Sequence, residues 1–397
     1  MDAMPATRRV LITLLGRSEK RGGGYRETQY VLPDHSKTEP TAFLGWELRK
    51  ILKPEEVIVL GTRGSMWDWL IEPADEQRYE NFDQLVNSVS EMTVTQEQLA
   101  PFARDLSQHL ETKIVLKLIG DCYTEEEQLD LLRQIEPLVH NGDELFLDLS
   151  HGFRHLPILL MMAAVYLRSL KSVTIGKIYT SFYHAESGWG VVFDLSGLLR
   201  LISWHTALNS FEKDGDPGAF VDLLEQDGLV QQLIDQLNQA SYYNRINDHQ
   251  RAWPAERAVA NALEQGAVRG VSALFAPRLI EYLARREDGH EADRLARMAR
   301  RQLDIANFDR AALLALSAGA SRYRNAGETL EQAHRVLLAS QRADGNFLSQ
   351  YHLLARIRNF IAHTGDSRPN LEVRNAVQNE AALSKTLVRI FDSLFPR

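Results

Sequence analysis

The chain has 397 residues, too long for one hydrophobic core, so two or three domains are expected. Its 44% hydrophobic and 25% charged content excludes overall disorder, and a net charge of −8 argues against a protein that coats duplex DNA. One cysteine, Cys122, excludes an internal disulfide framework and a CxxC zinc site, and suits a reducing cytoplasm.

The start, MDAMPATRRVLITLLG, sets basic residues before a short apolar run with no small-residue cleavage site, so it predicts a first strand rather than a signal peptide. Further strands are predicted at 56–62, 113–120, 144–150, 172–182 and 190–196. All are Val-, Ile- and Leu-rich runs of the kind buried on both faces. Helices are predicted between them at 40–52, 78–91, 95–110, 125–140 and 154–169. Strand–helix alternation of this sort predicts a Rossmann-like α/β domain over 1–200, with helices on both faces of a mostly parallel sheet. The longest apolar stretch, 156–167, is too short to span a bilayer and predicts a buried helix; no membrane association is expected.

After about residue 200 Ala, Leu, Arg, Glu and Gln dominate and no strand is evident. Residues 201–397 therefore predict an all-α domain of five to seven helices, with 198–212 as a linking helix. Breaks are expected at Gly215-Asp216-Pro217-Gly218, Trp253-Pro254, Ala276-Pro277, Asp288-Gly289 and Asp344-Gly345. Residues 1–200 hold 21 basic and 29 acidic residues, against 24 of each in 201–397. Arg294, Arg297, Arg300 and Arg301 cluster in the second half. They read either as a patch for an RNA phosphate chain or as a solvated face paired with Glu291 and Asp293.

Ligands of doubly wound sheets bind beyond the carboxyl ends of the strands. Three strand exits here are rich in small, hydroxyl, basic and aromatic residues. They are Gly16-Arg17-Ser18 running into Gly22-Gly23-Gly24-Tyr25, then Gly61-Thr62-Arg63-Gly64-Ser65-Met66-Trp67, and Asp148-Leu149-Ser150-His151-Gly152-Phe153-Arg154-His155. Small residues admit backbone N–H groups to a phosphate, and Tyr25, Trp67 or Phe153 offers a face to a base. Neither a GxGxxG nor a GxxxxGK[ST] string is present. Each exit alone also reads as an ordinary turn with its N-cap; three on one sheet favour a binding site.

In the second half, SQYHLLARIRNFIAHTG (349–365) predicts one helix closed by Gly365, with Leu353, Leu354, Ile357, Phe360 and Ile361 as its buried stripe. Arg358, Asn359 and His363 fall off that stripe. An Arg with a His suits RNA cleavage, where the 2′-hydroxyl attacks its own phosphate: His moves protons near neutral pH, Arg stabilises phosphoryl charge, and Asn orients either. No metal is expected, since no His, Asp or Glu cluster has ligand spacing. Arg-x4-His also occurs at Arg104/His109, Arg200/His205 and Arg285/His290. From helix physics alone, a solvent-facing role for these residues stays open.

LLGRS, VIVLGTRGSMW and above all DLSHGFRHLP resemble the sensor domains of CRISPR-associated CARF proteins. RNFIAH resembles the R-[polar]-x3-H motif of HEPN ribonucleases, and the order matches the CARF–HEPN ancillary nucleases of type III CRISPR systems. The resemblance implies a CARF domain over 1–200 and a HEPN domain over 201–397. It further implies a homodimer or higher homo-oligomer and no cofactor beyond an allosteric activator, cyclic oligoadenylate, with cyclic tetra-adenylate expected. The substrate it implies is single-stranded RNA, cut without a metal. By the same resemblance Arg358, Asn359 and His363 are catalytic, and Gly16, Arg17, Thr62, Ser65, Trp67, Ser150, His151, Gly152, Phe153 and Arg154 contact the activator. Ser150 stands where Thr is more usual in the motif, and keeps the hydroxyl. Two alternatives remain open: a sensor whose helical domain recruits a partner without catalysis, and a sensor that degrades its own cyclic ligand.

Overall fold

The computed structural model describes residues 7–17, 27–71, 81–184, 186, 188–246, 248–284, 290–339, 343–363 and 369–396, with the backbone alone at 214 and 284. The chain divides into two compact units, Met1–Arg200 and Leu201–Arg397.

The first unit is built on a seven-stranded sheet of order β2-β7-β6-β5-β1-β3-β4. The strands are β1 (Arg9–Leu15), β2 (Tyr30–Val31), β3 (Glu56–Gly61), β4 (Lys113–Leu118), β5 (Glu144–Asp148), β6 (Thr174–His184) and β7 (Trp189–Asp194). Five of them, β6-β5-β1-β3-β4, run parallel; β7 is antiparallel to β6, and β2 pairs with β7. All six strands expected from the sequence are present. β2 is too short for any hydrophobic period to announce it.

Strand alternation supplies two cores. On one face Leu11, Leu15, Val57, Val59 and Phe146 pack under the helices Leu44–Leu52, Phe82–Glu91 and Gln96–His109. On the other, Val10, Ile12, Ile58, Leu145 and Leu147 meet the helices Glu125–Ile135 and His155–Lys171. Burial on both faces is why these strands are continuously apolar. Thr95 with Gln98, and Thr124 with Glu127, form capping boxes that fix where two of the helices start.

The helix His155–Lys171 corrects the expectation of a buried helix. Leu156, Leu160, Ala163, Ala164 and Leu167 are buried, but Ile158, Met162, Tyr166 and Leu170 are 42–60% exposed and recur every fourth residue. It is apolar all round, yet only one face meets the sheet. Among the described residues no helix is long and apolar enough to cross a membrane.

In the second unit all the described regular structure is helical. One core gathers Trp204, Phe220, Leu237, Val259 and Leu279; a second gathers Leu303, Leu314, Tyr351, Leu354, Ile357 and Phe391. The unit holds more than the five to seven helices expected, because short ones such as Val221–Gln226 and Leu371–Ala376 escape a periodicity window. Two expected breaks are also absent. Pro254 lies inside His249–Glu264 and Pro277 inside Gly270–Ala284. A proline inside a helix costs about 3 kcal/mol. Burial of Ala252, Trp253, Ala276 and Leu279 around these two offsets that cost. Asp344-Gly345 is a boundary of another kind: the Asp344 carboxylate accepts from the N–H groups of Asn346 and Phe347 and caps Gly345–Ala362. Asp288-Gly289 lies outside the described residues.

Candidate functional site

The sheet order changes direction at β1, whose neighbours are β3 on one side and β5 on the other. Their carboxyl ends bring the three strand exits to one edge of the sheet. The register puts Thr13 directly opposite Asp148. Both are fully buried, and Thr13 Oγ1 donates to Asp148 Oδ2 at 2.8 Å. Asp148 Oδ1 accepts from the Ser150 N–H at 3.0 Å, so one buried carboxylate ties β1 to the turn leaving β5.

In that turn Gly152 has φ +94°, which only glycine adopts cheaply. Ser150 Oγ is buried and makes no hydrogen bond. His151 stacks on Phe43 with ring centroids 5.3 Å apart. Burial holds the His151 imidazole below the ordinary histidine range, with the Asp148 charge pulling partly back. Phe153 and Arg154 are exposed at the start of the helix His155–Lys171, where Arg154 is the N-cap residue and makes no side-chain cap bond. These groups have the form of an anion-and-base site: an unengaged hydroxyl, an aromatic face and a guanidinium at a helix N-terminus.

The β3 exit is organised differently. Thr62, Ser65 and Trp67 are almost fully buried. Ser65 Oγ accepts from the Thr62 N–H at 2.9 Å and donates to Leu15 O at 2.8 Å. Trp67 Nε1 donates to Thr62 O at 2.9 Å, and the indole lies so close to Gly61 that a Cβ there would meet it at 2.5 Å. The Trp67 face is therefore core, and these three side chains shape the exit from inside. Gly16 is buried and its carbonyl accepts from Met66 N at 3.0 Å. Arg17 is exposed, with its guanidinium beside Gly64. Ser18 and Gly22 to Tyr25 lie outside the described residues.

The β4 exit, Gly120-Asp121-Cys122-Tyr123, is a further strand exit in the first unit. Its Asp121 carbonyl lies 2.6 Å from His155 Nε2, and the Tyr123 ring, 71% exposed, packs 5.8 Å from His155. The same rule of reading strand exits finds it. Buried Cys122 in that turn has its thiol pushed up to about 11 by burial and by the Glu127, Asp121 and Asp130 carboxylates.

In the helical unit, Leu353, Leu354 and Ile357 are buried as the stripe predicts, with Phe360 and Ile361 partly buried. Arg358 is half-buried; Asn359 and His363 are exposed. His363 is the C-cap residue of Gly345–Ala362, and Gly365 lies outside the described residues. Arg358 Nη1 donates to Asn359 Oδ1 at 3.4 Å, and its Nε lies 4.0 Å from Asp309 Oδ1. Arg358 and Asn359 line a cavity of about 230 Å³ walled by Leu313, Leu316, Leu330 and His334. His334 gave no signal in the sequence, because it stands on a separate helix, Leu330–Ala339, in no spacing to the RNFIAH string.

The other Arg-x4-His pairs differ in setting. Arg104 and His109 are both exposed on one helix; His205 is exposed, with its Nε2 3.0 Å from the Asn209 amide; Arg285 lies outside the described residues. Part of the arginine cluster is engaged locally. Arg300 pairs with Asp392, Arg301 lies over the Tyr282 ring and Arg294 over Trp253.

Comparison with known proteins decides the first unit. Residues 10–186 match the family described as CRISPR system endoribonuclease Csx1, CARF domain. The first unit is a CARF domain. The CRISPR-associated protein MJ1674 of Methanocaldococcus jannaschii is similar as well, 25% identical over 218 residues, which is 49% of this chain and 34% of that protein. The chain thus spans about a third of the length of the curated relative it matches. The CARF match includes the exits of β1, β3 and β5, so the Thr13–Asp148 tie and the SHGFR turn belong to it.

Proposed function

We propose that this chain is a ribonuclease switched on by a cyclic oligoadenylate. The observation that carries the reading is the cavity lined by Arg358 and Asn359 in a helical unit joined to a Csx1-type CARF domain. The activator lies over the β1 and β5 exits. Arg17, Arg154 and the N-terminus of the helix His155–Lys171 face its phosphates, Phe153 stacks on a base, and Ser150 Oγ and His151 complete the turn. Gly16 and Gly152 let the backbone approach, and Thr62, Ser65 and Trp67 hold the neighbouring exit in shape.

The substrate is single-stranded RNA, whose 2′-hydroxyl supplies the nucleophile. Arg358 stabilises charge developing on the phosphoryl oxygens, Asn359 orients the phosphate, and His363 carries a proton. Two copies associate through the exposed stripe Ile158, Met162, Tyr166 and Leu170. This patch repeats along one helix, and a two-fold axis would set it against its own copy.

The test is cleavage of single-stranded RNA by the purified chain in EDTA, with and without cyclic tetra-adenylate. Activator-dependent cleavage leaving 2′,3′-cyclic phosphate ends is expected. Arg358→Ala and His363→Ala lose at least about a hundredfold while still binding activator. His109→Ala, His205→Ala and His290→Ala retain most activity. Normal cleavage by His363→Ala, or activity lost in EDTA and restored by magnesium, refutes the assignment.

A further inference from the structure

Transfer of the 2′-hydroxyl proton and protonation of the departing 5′-oxygen are separate steps, and the RNFIAH motif holds one histidine. The cavity beside Arg358 holds a second. His334 Nδ1 lies 2.6 Å from the Tyr351 hydroxyl, and that hydroxyl donates to Leu316 O at 3.0 Å. A carbonyl only accepts, so the single phenolic proton is committed to Leu316. Tyr351 must then accept from His334, which places the imidazole proton on Nδ1 and leaves Nε2 as the basic atom.

Tyr351 is itself fixed. It is fully buried, and its ring lies so close to Gly319 that a Cβ there would meet it at 2.5 Å. Leu316–Tyr351–His334 is thus a rigid relay that orients a ring bordering the cleft of Arg358 and Asn359.

Resting on the ribonuclease reading, we propose that His334 is the general base of the cleavage reaction, its Nε2 taking the proton of the attacking 2′-hydroxyl. The 2′-O–H bond breaks toward Nε2, and the 2′-oxygen bonds to phosphorus. The P–O5′ bond breaks, and the 5′-oxygen takes a proton from His363. The products are a 2′,3′-cyclic phosphate and a 5′-hydroxyl, and solvent resets both histidines.

The surroundings suit a base. Burial and the nearby Arg358 charge hold His334 below the ordinary histidine range, with Glu331 opposing them. Glu331 is itself paired with Arg335, and Asp309 faces Arg358. A neutral imidazole is therefore the resting form at neutral pH.

The experiment compares wild type with His334→Asn in single-turnover RNA cleavage at saturating activator from pH 5 to 8.5. The asparagine amide replaces Nδ1–H as donor to Tyr351, so the relay persists while the base is removed. Expected are a rise in rate with pH for wild type that disappears in the variant, a loss of at least about a hundredfold at pH 7, and unchanged activator binding. Cleavage within about threefold of wild type, or a slower reaction with the same rise, overturns the assignment, since a merely structural role leaves the pH profile alone. Hydrogen exchange at the imidazole C2 of His334 is a second measurement, made on wild type and independent of how the variant folds. The tryptic peptide 325–335 contains no other histidine. Slowed exchange when 2′-O-methyl RNA binds supports the assignment, and unaltered exchange overturns it. Absence of any wild-type cleavage is a different result, which removes the ribonuclease reading and this role together.

Discussion

Thr13→Val tests whether the CARF unit is held at its ligand edge by one buried hydrogen bond. Valine keeps the β-branched shape that suits a central strand and opens no cavity, but it removes the Oγ1 donor to Asp148. Thr13 and Asp148 are both 0% exposed, so water does not replace the lost donor. A hydrogen bond to a charged partner contributes about 1.5–3 kcal/mol, and leaving one half buried forfeits that amount. For a unit of this size each kcal/mol moves the midpoint by about 2–4 °C, so the CARF transition should fall by about 3–12 °C in calorimetry, with the helical unit's transition unmoved. Asp148 also holds the Ser150 N–H, so the turn that carries Ser150, His151 and Arg154 loosens, and cyclic tetra-adenylate should bind several-fold more weakly. A CARF midpoint within about 1 °C of wild type refutes the argument, whatever happens to binding.

Met162→Glu puts a carboxylate in the middle of the exposed stripe, twice per symmetric dimer, at several kcal/mol for each unpaired buried charge; ultracentrifugation should show monomers, and a persisting dimer moves the interface elsewhere. Arg154→Ala removes an exposed guanidinium from the activator turn, so calorimetric titration should show weaker activator binding while maximal cleavage at saturation changes much less; an identical binding curve places the ligand elsewhere. His151 titrates lower in the folded chain than in the unfolded one, because burial disfavours its charged form. The unfolded state therefore binds the proton first, so CARF stability drops as pH falls below about 6.5 and levels off below the folded value. In urea melts between pH 8 and pH 5, His151→Gln should flatten that drop, and an equally steep drop in the variant assigns the acid sensitivity to other groups.

The strands were legible because burial on both faces leaves continuous apolar runs, and the exits were legible because parallel strands end at one edge. What each exit does was not legible. Thr62, Ser65 and Trp67 have the composition of a ligand loop, yet their polar atoms close on one another and on Leu15 O, which depends on the sheet being assembled. The stripe Ile158–Leu170 was hidden for a related reason. An apolar run of that length reads as buried, and only the placement of the sheet shows which face it leaves open. Pro254 and Pro277 do not break their helices, because a local penalty of about 3 kcal/mol is offset by the burial of the residues around them.

His334 shows where one sequence stops informing. Arg358 and Asn359 stand on one helix and His363 is its C-cap residue, so spacing along one segment groups them. His334 reaches the cleft of Arg358 and Asn359 from another helix, and its tautomer is set through Tyr351 by a backbone carbonyl 35 residues before that tyrosine. None of that has a period or a spacing. A motif histidine at an exposed helix end faces solvent. A histidine locked by a buried phenol has one nitrogen committed and the other disposed to accept. The two sites therefore differ in kind, and the difference comes from packing around Gly319 and Tyr351, which no residue of the motif encodes.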